Sequence, residues 1–235
     1  MYVCLFLERE KRSEKMEFYE ITLKGMKKIL DDCKEEQYAE IVGKCIAKWQ
    51  SDRDVRCMLT EFADNGRFRT FRFRSADFSS AEQAFWTNQL FGGLVAMMIQ
   101  LGGFILDGHT VGIDFIRSNF GRPTDVLTGY QCKSCGKFFA SALDIDKYIS
   151  LPIIGKRIAD GLENGSLDDE IDIIMSLSAP EIEKERNRTK LRCINTNITV
   201  TEEKPVMCQS CGSKRIDPHK FLRSVKAPVF VPLNS

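Results

Sequence analysis

Gln131-Cys-Lys-Ser-Cys-Gly-Lys137 and Met207-Cys-Gln-Ser-Cys-Gly-Ser213 carry one pattern, C-x-S-C-G, and no other internal repeat stands out in the 235 residues. Two residues between cysteines let both thiolates face one metal from a single tight turn. The glycine after the second cysteine suits a backbone that must take φ > 0 while its N–H groups point back at sulfur. Two such knuckles supply four thiolates, Cys132, Cys135, Cys208 and Cys211, which is a closed tetrahedral shell for one Zn²⁺. A closed shell leaves no position for a reacting water, so the expected metal is structural and no catalytic residue is assigned. Lys133, Lys137, Lys214 and Arg215 are placed to offset part of the negative charge that four thiolates bring.

The neighbours of the knuckles extend the reading. Tyr130 precedes the first, Lys137, Phe138 and Phe139 follow it as a strand, and Lys204-Pro205-Val206 leads into the second. With these neighbours the chain resembles the zinc ribbon family, over roughly 128–139 and 199–216. The resemblance implies a small antiparallel sheet clamped at one end by the metal. Zinc ribbons serve nucleic-acid-binding proteins, transcription and translation factors, and unrelated proteins that use them as stabilising modules. An ordinary four-cysteine site separates its pairs by roughly fifteen to twenty residues. Here 72 residues, Gly136 to Met207, lie between them. The hairpin is therefore expected to carry a helical insertion at about 145–185, which is affordable because loop-closure entropy grows slowly with length. The spacing leaves alternatives open. The pairs could form separate sites completed across a dimer interface, act as redox dithiols, or hold iron on the same ligand set.

Composition sets the outer limits. The chain is 43% hydrophobic and 29% charged, ordinary for a soluble globular protein. Thirty-four basic residues oppose 33 acidic ones, so no overall field steers it to nucleic acid, and such binding needs a local basic patch. Nine cysteines are many and the number is odd. The start, MYVCLFLEREKRSEK, holds an apolar run (Val3 to Leu7) that is too short for a signal sequence and precedes its charges. A cytoplasmic location is expected, where thiols stay reduced and paired cysteines act as metal ligands before disulfides. Met16 is an alternative start.

The fold class expected is α+β: a helical domain over 1–125 and a zinc-ribbon domain over 126–235, divided near residues 120 to 128. Tyr19, Leu23, Met26, Leu30 and Cys33 form a helical stripe. Tyr38, Ile41, Val42, Cys45, Ile46 and Trp49 form another, and Asp52 or Asp54 could cap a third through Val55, Met58, Leu59 and Phe62. Cys33, Cys45 and Cys57 are read as small buried apolar residues. Arg67 to Arg74, RFRTFRFR, alternates but slips phase at Thr70, so a plain strand would put phenylalanines on both faces. Ser79 or Ser80 caps the next helix. Gln83 to Leu106 carries no charge. Its heart, Leu90 to Leu106, approaches the ~20 residues that cross a bilayer, yet four glycines and three polar residues suit a buried central helix better. Beyond the first knuckle, helices are expected at Leu151 to Leu162 and Leu167 to Leu177, a solvated stretch at Glu181 to Lys190, a strand at Leu191 to Val200 holding Cys193, and an extended edge segment at the tail.

Function follows only in outline. His109 and His219 are the two histidines, so catalytic sets that need one have few candidates; His219 could serve as an outer partner of the metal site. The expected function is a non-enzymatic zinc-binding protein whose ribbon supports binding of a protein or nucleic-acid partner. Arg67, Arg69, Arg72 and Arg74, with Lys214 and Arg215, are the candidate nucleic-acid contacts, the phenylalanines stacking on bases if exposed. The alternative is a membrane-associated accessory protein that inserts the segment near 90–106.

Overall fold

The structure is a computed structural model that describes residues 18–64, 66–109, 113–120 and 125–233. The expectations for residues 1–15, for Met16 and for 121–124 lie outside them. The fold is α+β, with helices through the N-terminal part and one five-stranded sheet in the C-terminal half. The described residues of Met1–Arg122 and Ile154–Ser178 form one compact unit, and those of Pro123–Ile153 and Ala179–Ser235 the other. Residues 154–178, part of the segment read as an insertion, thus group with the helical unit.

In the helical unit, α1 (18–32) buries Tyr19, Leu23, Met26 and Leu30 completely, as the stripe predicts. Helix α2 (Glu36–Asp52) buries Val42, Cys45 and Trp49, and the Tyr19 and Trp49 rings meet at 4.4 Å. Asp54 Oδ1 accepts the Arg56 N–H at 2.8 Å and so opens α3 (Arg56–Leu59), which continues as a π-turn over Thr60–Asp64. Cys33 and Cys57 are only half-buried, so of the three cysteines read as core residues Cys45 alone is fully enclosed.

The RFRTFRFR segment is not a plain strand. Arg67–Thr70 is a helical turn (α4), and Phe71 and Arg74 that follow are extended. Helical spacing carries Phe68 to Phe71, and strand spacing carries Phe71 to Phe73, so all three rings reach the same interior. The phase slip at Thr70 is this change of geometry. Phe68 stacks on Phe62 at 4.1 Å, and Phe71 and Phe73 pack edge-on against Phe91 at 5.4 and 5.3 Å. Asn88 fastens the extended part: its Oδ1 accepts the Phe73 N–H at 2.8 Å and its Nδ2 donates to the Phe73 carbonyl at 3.1 Å.

Helix α5 (Ala81–Leu106) starts at Ser80, whose hydroxyl accepts the Gln83 N–H at 3.0 Å. It is long and apolar enough to cross a membrane by length and composition, and 44% of its most apolar stretch is buried within the protein. Trp86, Leu90, Phe91, Leu94, Met97, Met98 and Leu101 are among the residues it encloses, and it packs against α3, α4 and α8 (Leu167–Met175). Helix α6 (Ile113–Phe120) follows; its Arg117 pairs with Asp160 and Glu163 of α7 (Ala142–Asn164).

Helix α7 starts nine residues before the expected Leu151. The signal is a capping box: Asp144 Oδ2 accepts the Ser141 N–H at 2.9 Å, and the Ser141 hydroxyl accepts the Asp144 N–H at 3.2 Å. Pro152, which suggests a helix start, lies inside it. Residues 191–200 are also not one strand. Helix α9 (Pro180–Asn195) absorbs both the charged stretch and Leu191–Asn195, so Cys193 packs from a helix rather than a strand. Asn197, at φ +60°, makes the turn, and only Ile198–Thr201 is strand (β3). Leu191 and Ile194 are exposed, which shows that the β-branched pattern there had no second face to bury.

The sheet comprises β1 (Val126–Cys132), β2 (Phe138–Ser141), β3, β4 (Ile216–Arg223) and β5 (Phe230–Pro232), in the order β3-β2-β1-β4-β5. It is mixed rather than wholly antiparallel: β1 pairs antiparallel with β2 and β4, β4 with β5, but β2 with β3 is parallel. A parallel neighbour demands a crossover, and the chain between β2 and β3 contains α7, α8 and α9. One face of the sheet buries Leu127, Ala140, Ile198 and Phe221 with Cys193 of α9 and Phe230 of β5. Asp146 of α7 and Arg186 of α9 join in a two-pronged ion pair, at 2.7 and 2.8 Å, which fixes the two helices to each other. The tail forms β5 on the sheet edge, as expected.

Candidate metal centre

Strand β1 ends in the first knuckle and the second knuckle opens into β4, so the pairing of β1 with β4 sets the two turns side by side. Cys132 stands opposite Ile216 in that ladder. The knuckles are built alike. In the first, the Cys132 N–H donates to the Lys137 carbonyl and the Gly136 N–H to the Cys132 carbonyl, both at 2.8 Å. In the second, Cys208 N–H to Ser213 and Gly212 N–H to Cys208 repeat both bonds, also at 2.8 Å. Gly136 and Gly212 take φ of +76° and +70°, the left-handed region where a Cβ is strained.

The four sulfurs converge within one chain. All lie within 4.8 Å of one another, with Cys132–Cys211 and Cys135–Cys208 each at 3.6 Å. Four sulfurs about 2.3 Å from one ion stand about 3.8 Å apart along the tetrahedron edges, so the cluster has the dimensions a metal ion needs. Cys132 and Cys208 are fully buried with Tyr130 and Phe139, and Ile216 packs on them; Cys135 and Cys211 face outward.

Backbone donors favour the thiolate at Cys132 and Cys208. Burial alone would raise the Cys132 thiol, but the Cys135 and Ser134 N–H groups and neighbouring thiols outweigh it and hold it at about 6. Burial likewise opposes, and the Ser210 and Cys211 N–H groups outweigh it, at Cys208, which is lowered. At Cys211 the Ser213 N–H favours the thiolate, yet burial and the three other cysteines push it up to about 12. Four sulfurs this close cannot all ionise without a cation between them.

The serine shared by both patterns, Ser134 and Ser210, bonds to the opposite knuckle. The Ser134 hydroxyl donates to Ser213 Oγ at 2.8 Å, the Ser210 hydroxyl accepts from Lys137 Nζ at 2.7 Å, and the Lys133 N–H donates to the Arg215 carbonyl at 2.9 Å. These bonds run between the knuckles and hold them in register. Lys204 sits over the Tyr130 ring at 5.3 Å. Beside it, Val206 is 84% exposed and Met207 48% exposed.

His219 does not reach the cysteines through a hydrogen bond. It is buried, stacked on Phe138 at 5.1 Å and edge-on to Phe221 at 5.0 Å, and its Nε2 has no hydrogen-bond partner among the described residues. Arg67, Arg69, Arg72 and Arg74 are exposed on the helical unit, while Lys214 and Arg215 are exposed on the sheet unit. Phe68, Phe71 and Phe73 are buried, so these rings offer no face to a base. Arg67 and Arg74 pair with Glu61 and Asp77, at 3.6 and 3.4 Å.

No protein-family model, no curated protein and no solved structure matches this chain.

Proposed function

We propose that the four cysteines hold one structural Zn²⁺ in a zinc-ribbon-like centre, and that the protein is a non-enzymatic cytoplasmic binding protein. The observation that carries this is the convergence of two identically hydrogen-bonded knuckles on four sulfurs within 4.8 Å. Four protein thiolates fill a tetrahedral zinc and leave it no site for substrate. The zinc ties the start of β4 to the end of β1, and the segments flanking the second cysteine pair carry exposed Val206 and Met207 and exposed Lys204, Lys214 and Arg215. Exposed apolar and basic side chains in these segments suit a protein or nucleic-acid partner.

Metal analysis of the purified protein, with a size measurement in solution, tests the centre. One zinc per monomer is expected, falling to a small fraction in Cys208→Ser. Iron in place of zinc, or a fold that survives strong chelation unchanged, would sink the reading. A nucleic-acid partner further requires binding that weakens steeply with salt, because phosphate contacts release counterions.

The charge-free length of α5 favours a second reading, in which the segment near 90–106 associates with a membrane. Recovery of the protein in the detergent-free soluble fraction would eliminate it.

A further inference from the structure

We propose that Cys45 and Cys57 form a reversible disulfide, making the α2–α3 turn an oxidation site separate from the metal centre. Their sulfurs stand 3.6 Å apart, already in contact across the turn. A disulfide requires about 2.05 Å, so the sulfurs must close by roughly 1.5 Å. The local structure can yield that distance. Cys57 is the second residue of a four-residue helix that passes directly into a π-turn, and only Arg53, Asp54 and Val55 join it to α2. Cys45, by contrast, is enclosed on a 17-residue helix, one turn before Trp49.

The two thiols differ in access, which sets the order of events. Cys57 is half-buried and can be reached from solvent; Cys45 is buried and cannot. The Cys57 sulfur attacks one oxygen of hydrogen peroxide: the O–O bond breaks, Cys57 becomes a sulfenic acid, and the departing hydroxide leaves with the Cys57 proton as one water. The Cys45 sulfur then bonds to the Cys57 sulfur as the S–O bond breaks, and the hydroxide departs with the Cys45 proton as a second water. Two thiols have lost two protons and two electrons, and the peroxide has received them. A dithiol reverses the reaction by exchange. Burial pushes the Cys45 thiol well above its usual range, so it waits as the neutral partner and is not itself the first target.

Peptide mapping decides the matter on the full-length protein. After brief exposure to hydrogen peroxide, alkylation and trypsin digestion, the peptide Cys45–Lys48 should appear joined to Cys57–Arg67, lighter than their sum by two hydrogens. Dithiothreitol should separate them, and Cys57→Ser should abolish the linked species while leaving the zinc content unchanged. The wild-type map stands alone if that variant folds poorly. The proposal is overturned if Cys45 remains fully alkylated while Cys57 passes to the sulfinic acid, or if either cysteine links to a different partner. Neither result depends on whether the four-cysteine centre holds zinc.

Discussion

Gly129 and His219 face each other across the β1–β4 ladder, and each shows how little room the centre of the sheet allows. A Cβ on Gly129 would stand 2.4 Å from the Phe139 carbonyl oxygen and 3.0 Å from the Phe221 ring. Gly129→Ala should therefore cost about 2–3 kcal/mol by overpacking, measured by chemical denaturation. Gly136→Ala meets no neighbour among the described residues but must hold φ at +76°, and about 1 kcal/mol with weaker metal retention is the expected loss. At His219, burial and the Lys133 charge hold the imidazole below its usual range. The unfolded chain then takes up a proton more readily than the folded one. The titration of this residue costs no stability above about pH 6.5, and that penalty grows as pH falls, levelling off below the depressed folded value. His219→Phe fills the same aromatic slot without the unpartnered Nε2. It should be about 1 kcal/mol more stable at neutral pH, and its advantage over wild type should widen at pH 5.5. An advantage that stays constant with pH would contradict this account.

At the scale of elements, the stripes on α1 and α2, the Ser80 cap and the knuckles were legible because each rests on a local rule that tertiary packing leaves intact. Where two local rules compete, the sequence misleads. Leu191–Val200 is rich in β-branched residues, but the helix begun at Pro180 continues to Asn195 because Ile182, Thr189 and Cys193 share a buried face. The periodic signal of that helix was masked by its charged outer side. RFRTFRFR failed differently: both helical and extended spacing occur within eight residues, and only the partner surface around Phe91 shows which applies where. Asn88 is the element-scale test. Asn88→Leu preserves size but leaves the Phe73 N–H and carbonyl without their side-chain partner, so a loss of about 2 kcal/mol is expected. If that variant unfolds at the wild-type denaturant midpoint, the fastening is incidental. The cluster of four sulfurs was legible to the residue, whereas the serine bonds between the knuckles were not, because hydrogen bonding between distant turns has no linear pattern.

For the whole molecule, the metal should matter unequally to the two units. Chelation removes the clamp between β1 and β4, so the sheet unit should lose its protection from hydrogen exchange. The helical unit, whose buried Trp49 and Trp86 lie outside that sheet, should keep its own. Equal loss in both would mean that the division into units has no energetic counterpart. The distance between the knuckles along the chain also has a consequence in time. Strand β1 and its first two ligands leave the ribosome 73 residues before Cys208. At about 5–20 residues per second, the first pair waits roughly 4–14 seconds as an incomplete claw. During that interval its thiols are open to any metal or oxidant at hand. The nascent chain, more than the finished one, is where this centre is vulnerable to the wrong ion.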